Sequence, residues 1–353
     1  MKKPLLLLLT ATAILSHAAF GQTATTTPVG ALTYTLAATT TSPSGTYISI
    51  PLTDTPVYSG PVQSFTSTTL TFSGTPFVAS ALAQAGSPYF LRIQSGTQAG
   101  RTMLVTANTA NTVTVDVTNN SSQATNLDSS GFSVAANDTV QIFAGDTLAS
   151  FFGSSVDVNS YLTGVALKGA ASALSADAVS IYNRITAKQD GYFFSTTLGY
   201  WRTTTSAVNQ NGVVLYPDTS FAITRRASRP ALSFTVLGDV PVVAPKIKTP
   251  GGSQSVYGGN SFPVDVTLGS LSLANWTKAN SALSADTISI YNPILAKMDG
   301  YYQKLDGTWR KVGDANTDRS SLVIPAGSFL GFLKRASVSG SGSFLSSPLP
   351  YSL

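Results

Sequence analysis

Ser172-Ala-Leu-Ser-Ala-Asp177 and Ser281-Ala-Leu-Ser-Ala-Asp286 are the same six residues, written twice 109 positions apart. The match continues without a gap, so that 16 of the 21 positions from Ser172 to Tyr192 are identical in the second copy. Self-similarity of this kind is the sequence signature of a repeated structural unit. The C-terminal two-thirds of the chain therefore contains one module in two copies.

The similarity extends over most of a domain in each copy. Shorter matched segments keep the same order: Val156-Asp-Val158 with Val264-Asp-Val266, Trp201-Arg202 with Trp309-Arg310, Pro217 with Pro325, Ser220-Phe221 with Ser328-Phe329, and Arg226-Ala-Ser228 with Arg335-Ala-Ser337. We interpret each copy as a meander, with strands in the first copy at Asp177 to Tyr182, Tyr192, Trp201 and Phe221 and a turn through Lys188 to Gly191. Asp306-Gly307 in the second copy is a dipeptide typical of hairpin turns.

The composition favours strands over helices. Only 10% of the residues are charged, and Thr, Ser, Gly, Val and Tyr are abundant, as is typical of strands and turns. Apolar residues alternate with small or polar ones in short stretches such as Ala31 to Ala37. The sequence predicts an all-β fold of tandem β-sandwich or barrel-like domains. Short helical pieces are expected at Phe77 to Ala85 and at Thr147 to Phe152, the latter capped by Asp146.

Domain boundaries follow from the repeat and from Pro- and Gly-rich segments, which mark connectors. We predict a signal peptide at 1–21 and an N-terminal β domain at 22–153. The first module copy is expected at 154–240 and the second at 261–353. A Pro- and Gly-rich connector, 241–260, separates the two copies.

The N-terminal residues have the pattern of a secretory signal. A basic Met1-Lys2-Lys3 precedes an apolar run from Pro4 to Leu15, and the small residues Ala19 and Gly21 stand before a cleavage point ahead of Gln22. That run is too short for a permanent bilayer anchor, and no later stretch reaches about 20 uninterrupted apolar residues. We expect a bacterial protein that is exported to the extracellular space or the cell surface, without a permanent membrane span.

Several kinds of catalytic chemistry are excluded by the composition. The chain has no Cys, its one His is His17 in the predicted signal, and all 16 acidic residues are Asp. Without Cys or His there is no thiolate nucleophile, no ordinary Ser-His-Asp triad and no usual zinc site. We predict that the protein is not an enzyme and uses no cofactor; an Asp-dependent hydrolase is the weakest alternative. The formal net charge of +5 is spread thinly, so no nucleic-acid partner is expected.

One polar segment has part of a metal-binding pattern. Asp314, Asn316 and Asp318 have the alternate spacing of a calcium loop. However, Arg319 follows where the loop requires Gly, and Pro325 stands where a ligand is expected. We interpret the segment as a polar loop and predict no metal site.

Four aromatic residues recur at equivalent positions and are candidates for a glycan-binding platform: Trp201, Trp309, Tyr192 and Tyr301. Aromatic faces stack on sugar rings, which makes a carbohydrate-binding module the alternative function, with an extracellular polysaccharide as partner. Equivalent aromatics in two copies of a β module are more often core residues or cross-strand pairs.

Two lysines, Lys188 and Lys297, occupy equivalent places beside Asp190 and Asp299. A desolvated lysine with a lowered pKa attacks an Asn or Asp side chain when a buried acid assists, and an exported fibre protein without disulfides gains from such an isopeptide bond. No pattern specifies that crosslink here, and an exposed lysine in a turn is the ordinary case.

Further segments carry a family resemblance. They are Tyr89-Phe-Leu-Arg-Ile-Gln-Ser-Gly96, Gly100-Arg101, the segment from Val105 to Val113, the segment from Gly145 to Gly153, and the recurring Ile-Tyr-Asn, Trp-Arg, Pro-x-x-Ser-Phe and Arg-Ala-Ser elements. Over nearly the whole mature chain they resemble a family of uncharacterised exported proteins of verrucomicrobia-type bacteria. The resemblance implies no enzymatic activity. The chain departs from it by having two module copies where one is expected, which suggests lengthening of a structural unit.

These observations favour a protein that acts through shape and assembly. We expect a structural subunit of an extracellular or cell-surface filament, pilus or envelope lattice, a homopolymer joined through β-strand edges. The N-terminal strand, with Leu32, Tyr34 and Leu36 on one face, is the candidate donor strand that completes the sheet of a neighbour. A secreted carbohydrate-binding protein is the alternative.

Overall fold

The computed structural model describes residues 28–117, 134–183, 188–217, 219–248, 254–273, 276–292, 297–335 and 344–352. The predicted signal peptide lies outside the described residues. Within them nearly all regular structure is strand, which confirms the all-β prediction. No helix in these ranges is both long enough and apolar enough to span a bilayer.

Two N-terminal strands, β1 (Val29–Leu36) and β2 (Ser44–Ser49), belong to the first module. β1 pairs antiparallel with residues 232–239, and β2 pairs antiparallel with residues 220–225. Both strands therefore find their partners about 170 to 210 residues further along the chain. The predicted N-terminal strand is confirmed as a strand, but its partner is in its own chain.

The next eight strands form a separate antiparallel sheet. They are β3 (Tyr58–Pro61), β4 (Ser64–Thr66), β5 (Thr69–Thr71), β6 (Ala83–Gln84), β7 (Ser87–Ile93), β8 (Thr102–Asn108), β9 (Thr112–Asp116) and β10 (Thr139–Ala144). The order is β3-β10-β7-β8-β9-β5-β4, with β6 beside β7. Alternate apolar side chains, among them Leu70, Val113 and Ile142, form a core of their own. The Val57 N–H donates to the Ile142 carbonyl at 2.8 Å, so the two ends of this domain lie side by side.

The first module copy continues after this sheet. Its elements are β11 (Asp146–Thr147), α1 (Leu148–Phe152), β12 (Ala178–Asn183), β13 (Lys188–Ser195), β14 (Tyr200–Thr203), β15 (Val214–Leu215), β16 (Ser220–Arg225) and β17 (Leu232–Asp239). A five-stranded sheet has the order β14-β13-β12-β16-β2, while β11 pairs with β15 and β1 with β17.

The second copy has the same arrangement. Its strands are β18 (Ile247–Lys248), β19 (Gln254–Gly259), β20 (Val266–Thr267), β21 (Thr287–Asn292), β22 (Lys297–Gln303), β23 (Trp309–Lys311), β24 (Val323–Ile324), β25 (Phe329–Lys334) and β26 (Phe344–Leu345), with a 3-10 turn at Leu268–Ser270. The five-stranded sheet has the order β23-β22-β21-β25-β19. β20 pairs with β24, and β18 with β26. Strand by strand, β2 of the first copy corresponds to β19 of the second.

The predicted boundary at 153/154 is therefore wrong. β2 completes the sheet of the first module, and Tyr34, Ile48 and Phe152 pack in the same core as Trp201. Residues 58–144 are instead a sheet domain inserted into the first module between β2 and β11. The insertion separates β2 from β11 in the sequence. Their counterparts in the second copy, β19 and β20, have only Asn260 to Asp265 between them.

The local predictions are met in part. α1 occupies the second predicted helical site, but Thr147 caps it, because its hydroxyl accepts from the Ser150 N–H at 3.2 Å. Phe77 to Ala85 contains no helix and ends in the short strand β6. Lys188 to Gly191 lie within β13 rather than in a turn. The Asp306-Gly307 turn is confirmed, with Gly307 at φ +86° between β22 and β23.

Candidate assembly surfaces

The four aromatic side chains of the predicted glycan platform are inside the protein. Trp201 and Trp309 have no exposed surface, and Tyr192 and Tyr301 expose 8% and 7%. The Trp201 indole N–H donates to the Gly153 carbonyl at 2.8 Å, deep in the first core. The platform prediction is wrong in this fold, because alternate residues of β13, β14, β22 and β23 point inward and no aromatic face of this set is available to a sugar.

The two predicted crosslinking lysines lie on the surface. Lys188 and Lys297 are exposed residues at the beginning of β13 and β22. The neighbouring Asp299 accepts from Asn292 at 2.9 Å and from Lys311 at 2.8 Å. Neither lysine is desolvated, which the attack on a carboxyl group requires. The isopeptide prediction is therefore wrong for these two positions.

Each copy instead buries an aspartate beside a cation, which the sequence reasoning missed. In the second copy Asp286, fully buried, pairs with the Lys334 ammonium, which is 2% exposed. Its carboxylate also accepts the Thr277 and Arg335 backbone N–H groups at 2.8 and 2.7 Å. The repeat contained a signal for this buried pair, because Asp286 is the last residue of the most similar segment and corresponds to Asp177 in the first copy.

Asp177 occupies the same place in the first copy. Its carboxylate accepts the Lys168 and Arg226 N–H groups, both at 2.9 Å. Arg225 takes the position of Lys334, with its Nε 3.9 Å from Asp177, and Arg229 approaches to 3.5 Å. In both modules, a buried carboxylate that is paired with a cation thus lies beside the ends of two adjacent central strands. Its role is structural.

The predicted donor strand is already inserted in its own chain. β1 pairs with β17 over all eight of its residues. Leu36 is fully buried, Tyr34 is 7% exposed, and Leu32 packs partly buried against the same core. The Tyr34 hydroxyl donates to the Ser49 carbonyl at 2.6 Å, and burial raises the pKa of this hydroxyl. The three side chains are therefore not free to enter a neighbour, which corrects the donor-strand prediction.

The edges of the β1–β17 ribbon are open in the described part of the chain, where no further strand pairs along either one. Backbone groups in antiparallel strands point alternately toward the partner and away from it. Asp239 directs its N–H and carbonyl to Thr53, and Val240 donates to Pro28. Because this direction alternates along each strand, the N–H groups that point away from the partner strand belong to Ala31, Thr33 and Thr35 on β1 and to Ser233, Thr235 and Leu237 on β17. We call these the outward N–H groups.

By contrast with the ribbon, the two five-stranded sheets have outer edges that are covered by neighbouring loops. Beside β14, the Gln210 N–H donates to the Trp201 carbonyl at 2.8 Å. Beside β23, the Arg319 N–H donates to the Trp309 carbonyl at the same distance. The loop that covers β23 contains the segment that the sequence predicted to be a polar loop, and Asp314 there accepts the Asn316 and Thr317 N–H groups. These edges do not offer a run of free backbone groups.

The two modules meet along the other side of these sheets, at β2 and β19. The Tyr182 hydroxyl donates to the Ser255 carbonyl at 3.2 Å, and the Tyr291 hydroxyl donates to the Gly45 carbonyl at 3.1 Å. The Ser49 N–H donates to the Gly327 carbonyl at 2.7 Å. The module copies therefore contact each other directly.

A cavity of about 90 Å³ lies where the inserted domain meets the first module. Apolar side chains such as Phe143, Phe151 and Val236 line it together with Asp54 and Asp146. Burial raises the pKa of Asp146, although its hydrogen bond from Ser150 acts in the opposite direction, and the nearby Asp54 adds to the increase. Among the described residues no group of three or more His, Cys, Asp or Glu side chains is arranged to hold a metal ion.

Comparisons with known proteins found no similar protein. No protein-family model matches the chain, and neither the curated proteins nor the solved structures include a significant match. The surfaces described above therefore provide the grounds for a functional proposal.

Proposed function

We propose that this protein is a structural subunit of an extracellular or cell-surface filament, pilus or envelope lattice, and that copies of it associate through the edges of the β1–β17 ribbon. The observation that carries the proposal is the composition of these edges. Sixteen residues in two paired strands contain no Lys, no Arg and no Pro, and their one charged residue is Asp239, at the end of β17.

Soluble proteins protect long edge strands, because a row of free N–H and carbonyl groups pairs with other chains. The usual devices are charged side chains, proline, bulges or a covering loop. The register of β1 with β17 is regular over eight pairs without a bulge. The solvent-exposed face of the ribbon also carries pairs of hydroxyl groups, Thr33 with Thr235 at 2.8 Å and Thr35 with Ser233 at 3.0 Å. An edge of this kind pairs with a second copy of itself at little steric cost.

The alternative function has lost its main support. Carbohydrate binding rested on Trp201, Trp309, Tyr192 and Tyr301, and these side chains are buried. Export to the cell surface rests on the N-terminal sequence pattern, and the filament proposal requires it. The proposal assigns the protein no catalytic activity and no cofactor.

Substitution of Thr33 by proline tests the edge directly. Proline removes one outward N–H and is tolerated on edge strands, while the backbone hydrogen bonds between β1 and β17 use other residues. Thr33→Val is the matched control, because it keeps the N–H and the β-branched shape. With one hydrogen bond lost per contact, Thr33→Pro should raise the critical concentration for polymer formation by about tenfold, measured by sedimentation of the mature chain.

Electron microscopy of material sheared from the cell surface tests the function itself. We expect regular polymers that contain this chain. If the chain is recovered only as a monomer retained by a polysaccharide matrix, the filament proposal fails and the carbohydrate-binding alternative gains support. Polymers that form equally well with Thr33→Pro would exclude the ribbon edge but keep the subunit role.

A further inference from the structure

The contact between the two modules is reciprocal. Tyr182 and Tyr291 are the same position of the repeat, 109 residues apart. Each donates its hydroxyl to a backbone carbonyl of the other module, Tyr182 to Ser255 and Tyr291 to Gly45. These acceptors are also equivalent, because Gly45 pairs with Thr224 and Ser255 pairs with Leu333, at the same 109-residue offset.

The aromatic rings obey the same relation. The Tyr182 ring lies 4.8 Å from the Tyr257 ring, and the Tyr291 ring lies 4.4 Å from the Tyr47 ring. Tyr47 pairs with Ala222 and Tyr257 with Gly331, so these two tyrosines occupy one position of the repeat. An interface in which residue i contacts j while j contacts i is isologous, the type found in two-fold symmetric dimers.

We propose that the module is a self-associating unit, and that the face formed by Tyr257 and Tyr291 in the second copy takes another module of the same kind as its partner. In this chain the first copy is that partner. When the second copy is separated from the first, this face binds the same face of a second chain. The surface is distinct from the β1–β17 edge, and the inference does not depend on the filament proposal.

The second copy has what it needs to fold without the first. The strands of its five-stranded sheet all lie between Gln254 and Lys334. Its core, which includes Trp276, Trp309 and Phe332, contains no residue from outside 247–351. The first copy is different, because its sheet and core depend on β1 and β2 from before the inserted domain.

At the edge strand, the symmetric pairing of two second copies would place glycine against glycine. Ile48 and Ser49 of β2 are matched by Gly258 and Gly259 of β19 in the register of the two sheets. At present a Cβ added to Gly259 would approach the Ser49 hydroxyl to 1.9 Å. With glycine on both sides that crowding is absent. The hydrogen bond from the Ser49 hydroxyl to the Ser328 carbonyl, at 3.0 Å, is not reproduced.

The test is the association state of residues 241–353, produced alone and measured by light scattering during size-exclusion chromatography. We expect a folded dimer. Tyr291→Ala removes a ring contact and a hydrogen bond from each half of the interface and should weaken dimerisation at least tenfold, since buried tyrosines are frequent interface hot spots. Leu305→Ala, which truncates an exposed side chain outside this face, is the control.

A fragment that folds but stays monomeric at high concentration overturns the proposal, and so does a fragment that remains unfolded by circular dichroism. A second measurement uses the full chain. Because the two hydroxyls have equivalent roles, Tyr182→Phe and Tyr291→Phe should lower the urea midpoint by similar amounts. A change in one variant only would contradict the reciprocal contact. Neither result depends on polymer formation, so failure here is distinguishable from failure of the edge proposal.

Discussion

At the scale of single residues, the buried ion pair of the second module predicts a large effect of substitution on stability. Lys334→Met leaves Asp286 without its cation in a site from which both side chains exclude water. Removing one partner of a buried pair costs about 3–5 kcal/mol of the free energy of unfolding. Urea unfolding followed by circular dichroism measures this loss.

Lys304→Met is the matched control for Lys334→Met. Lys304 lies 4.0 Å from Asp306, and these side chains are 27% and 52% exposed. Exposed pairs of this kind contribute about 0–1 kcal/mol, so the control should unfold at nearly the wild-type urea concentration. Equal effects of the two substitutions would show that the buried pair has no special role.

The two equivalent tryptophans differ in one hydrogen bond, and this difference predicts unequal effects. The Trp201 indole N–H donates to the Gly153 carbonyl, whereas the Trp309 indole N–H has no acceptor among the described residues. Phenylalanine removes a similar volume from both cores. Trp201→Phe also leaves the Gly153 carbonyl without this donor, which costs about 1–3 kcal/mol. Trp201→Phe should therefore reduce the free energy of unfolding more than Trp309→Phe; a larger loss at position 309 would refute this account.

At the scale of elements, the repeated strands could be predicted from sequence, because identical segments 109 residues apart fold alike. The fifth strand of each module could not. β2 and β19 read Ser-Gly-Thr-Tyr-Ile-Ser and Gln-Ser-Val-Tyr-Gly-Gly, and only the tyrosine is shared. Edge strands are determined by backbone pairing, which leaves little trace in side-chain identity. The ion pairs were missed for a related reason, since Arg225 and Lys334 differ in type although they share a position.

The end of β17 predicts a pH dependence. Asp239 is 4% exposed, its Oδ2 has no hydrogen-bond partner among the described residues, and burial raises its pKa. Thr55 donates to its other oxygen at 3.4 Å and opposes the shift, while Asp54 adds to it. A raised folded-state pKa means that the folded protein binds this proton more tightly than the unfolded chain. Its contribution to stability is therefore lost as pH rises through the folded-state pKa.

Asp239→Asn should thus be more stable than wild type at pH 7, with an advantage that shrinks as the pH falls and disappears below about pH 4, where the unfolded-state carboxyl is also protonated. Asp306→Asn is the control with the opposite sign, because hydrogen bonds from Thr308 lower the pKa of Asp306. That variant should be less stable than wild type at pH 7, and the deficit should vanish in acid. Thermal unfolding from about pH 2 to pH 7 measures both trends, because the lowered pKa of Asp306 places its transition below about pH 4. An advantage of Asp239→Asn that does not change with pH would refute the assignment.

At the scale of the whole molecule, the all-β class and the duplication followed from the sequence, but the order of domains did not. The inserted sheet, residues 58–144, has no counterpart in the second copy, so comparing the copies could not show that β1 and β2 belong to the first. Only long-range pairing reveals it, as in Tyr47 with Ala222. The predicted 22–153 domain joined two pieces of one module to a foreign domain for this reason.

This architecture predicts that the inserted domain can be removed. Its core contains only residues of the insertion, and its two ends meet at the Val57–Ile142 hydrogen bond of 2.8 Å. Domains with adjacent ends on the surface are the ones that chains gain and lose without unfolding. Replacing 56–144 with a short Gly-Ser linker should leave both modules folded, with the β-type circular dichroism spectrum and cooperative urea unfolding retained.

A smaller deletion provides the comparison for this excision. Removing only β2 (Ser44–Ser49) takes away six residues, but they form one strand of the five-stranded sheet and include Tyr47 at the contact with the second module. Its loss exposes the backbone of β16 and one side of the core, so the first module should unfold while the second keeps its own core. If the long excision unfolds both modules and the short one unfolds neither, the sheet domain is an integral part of the module rather than an insertion.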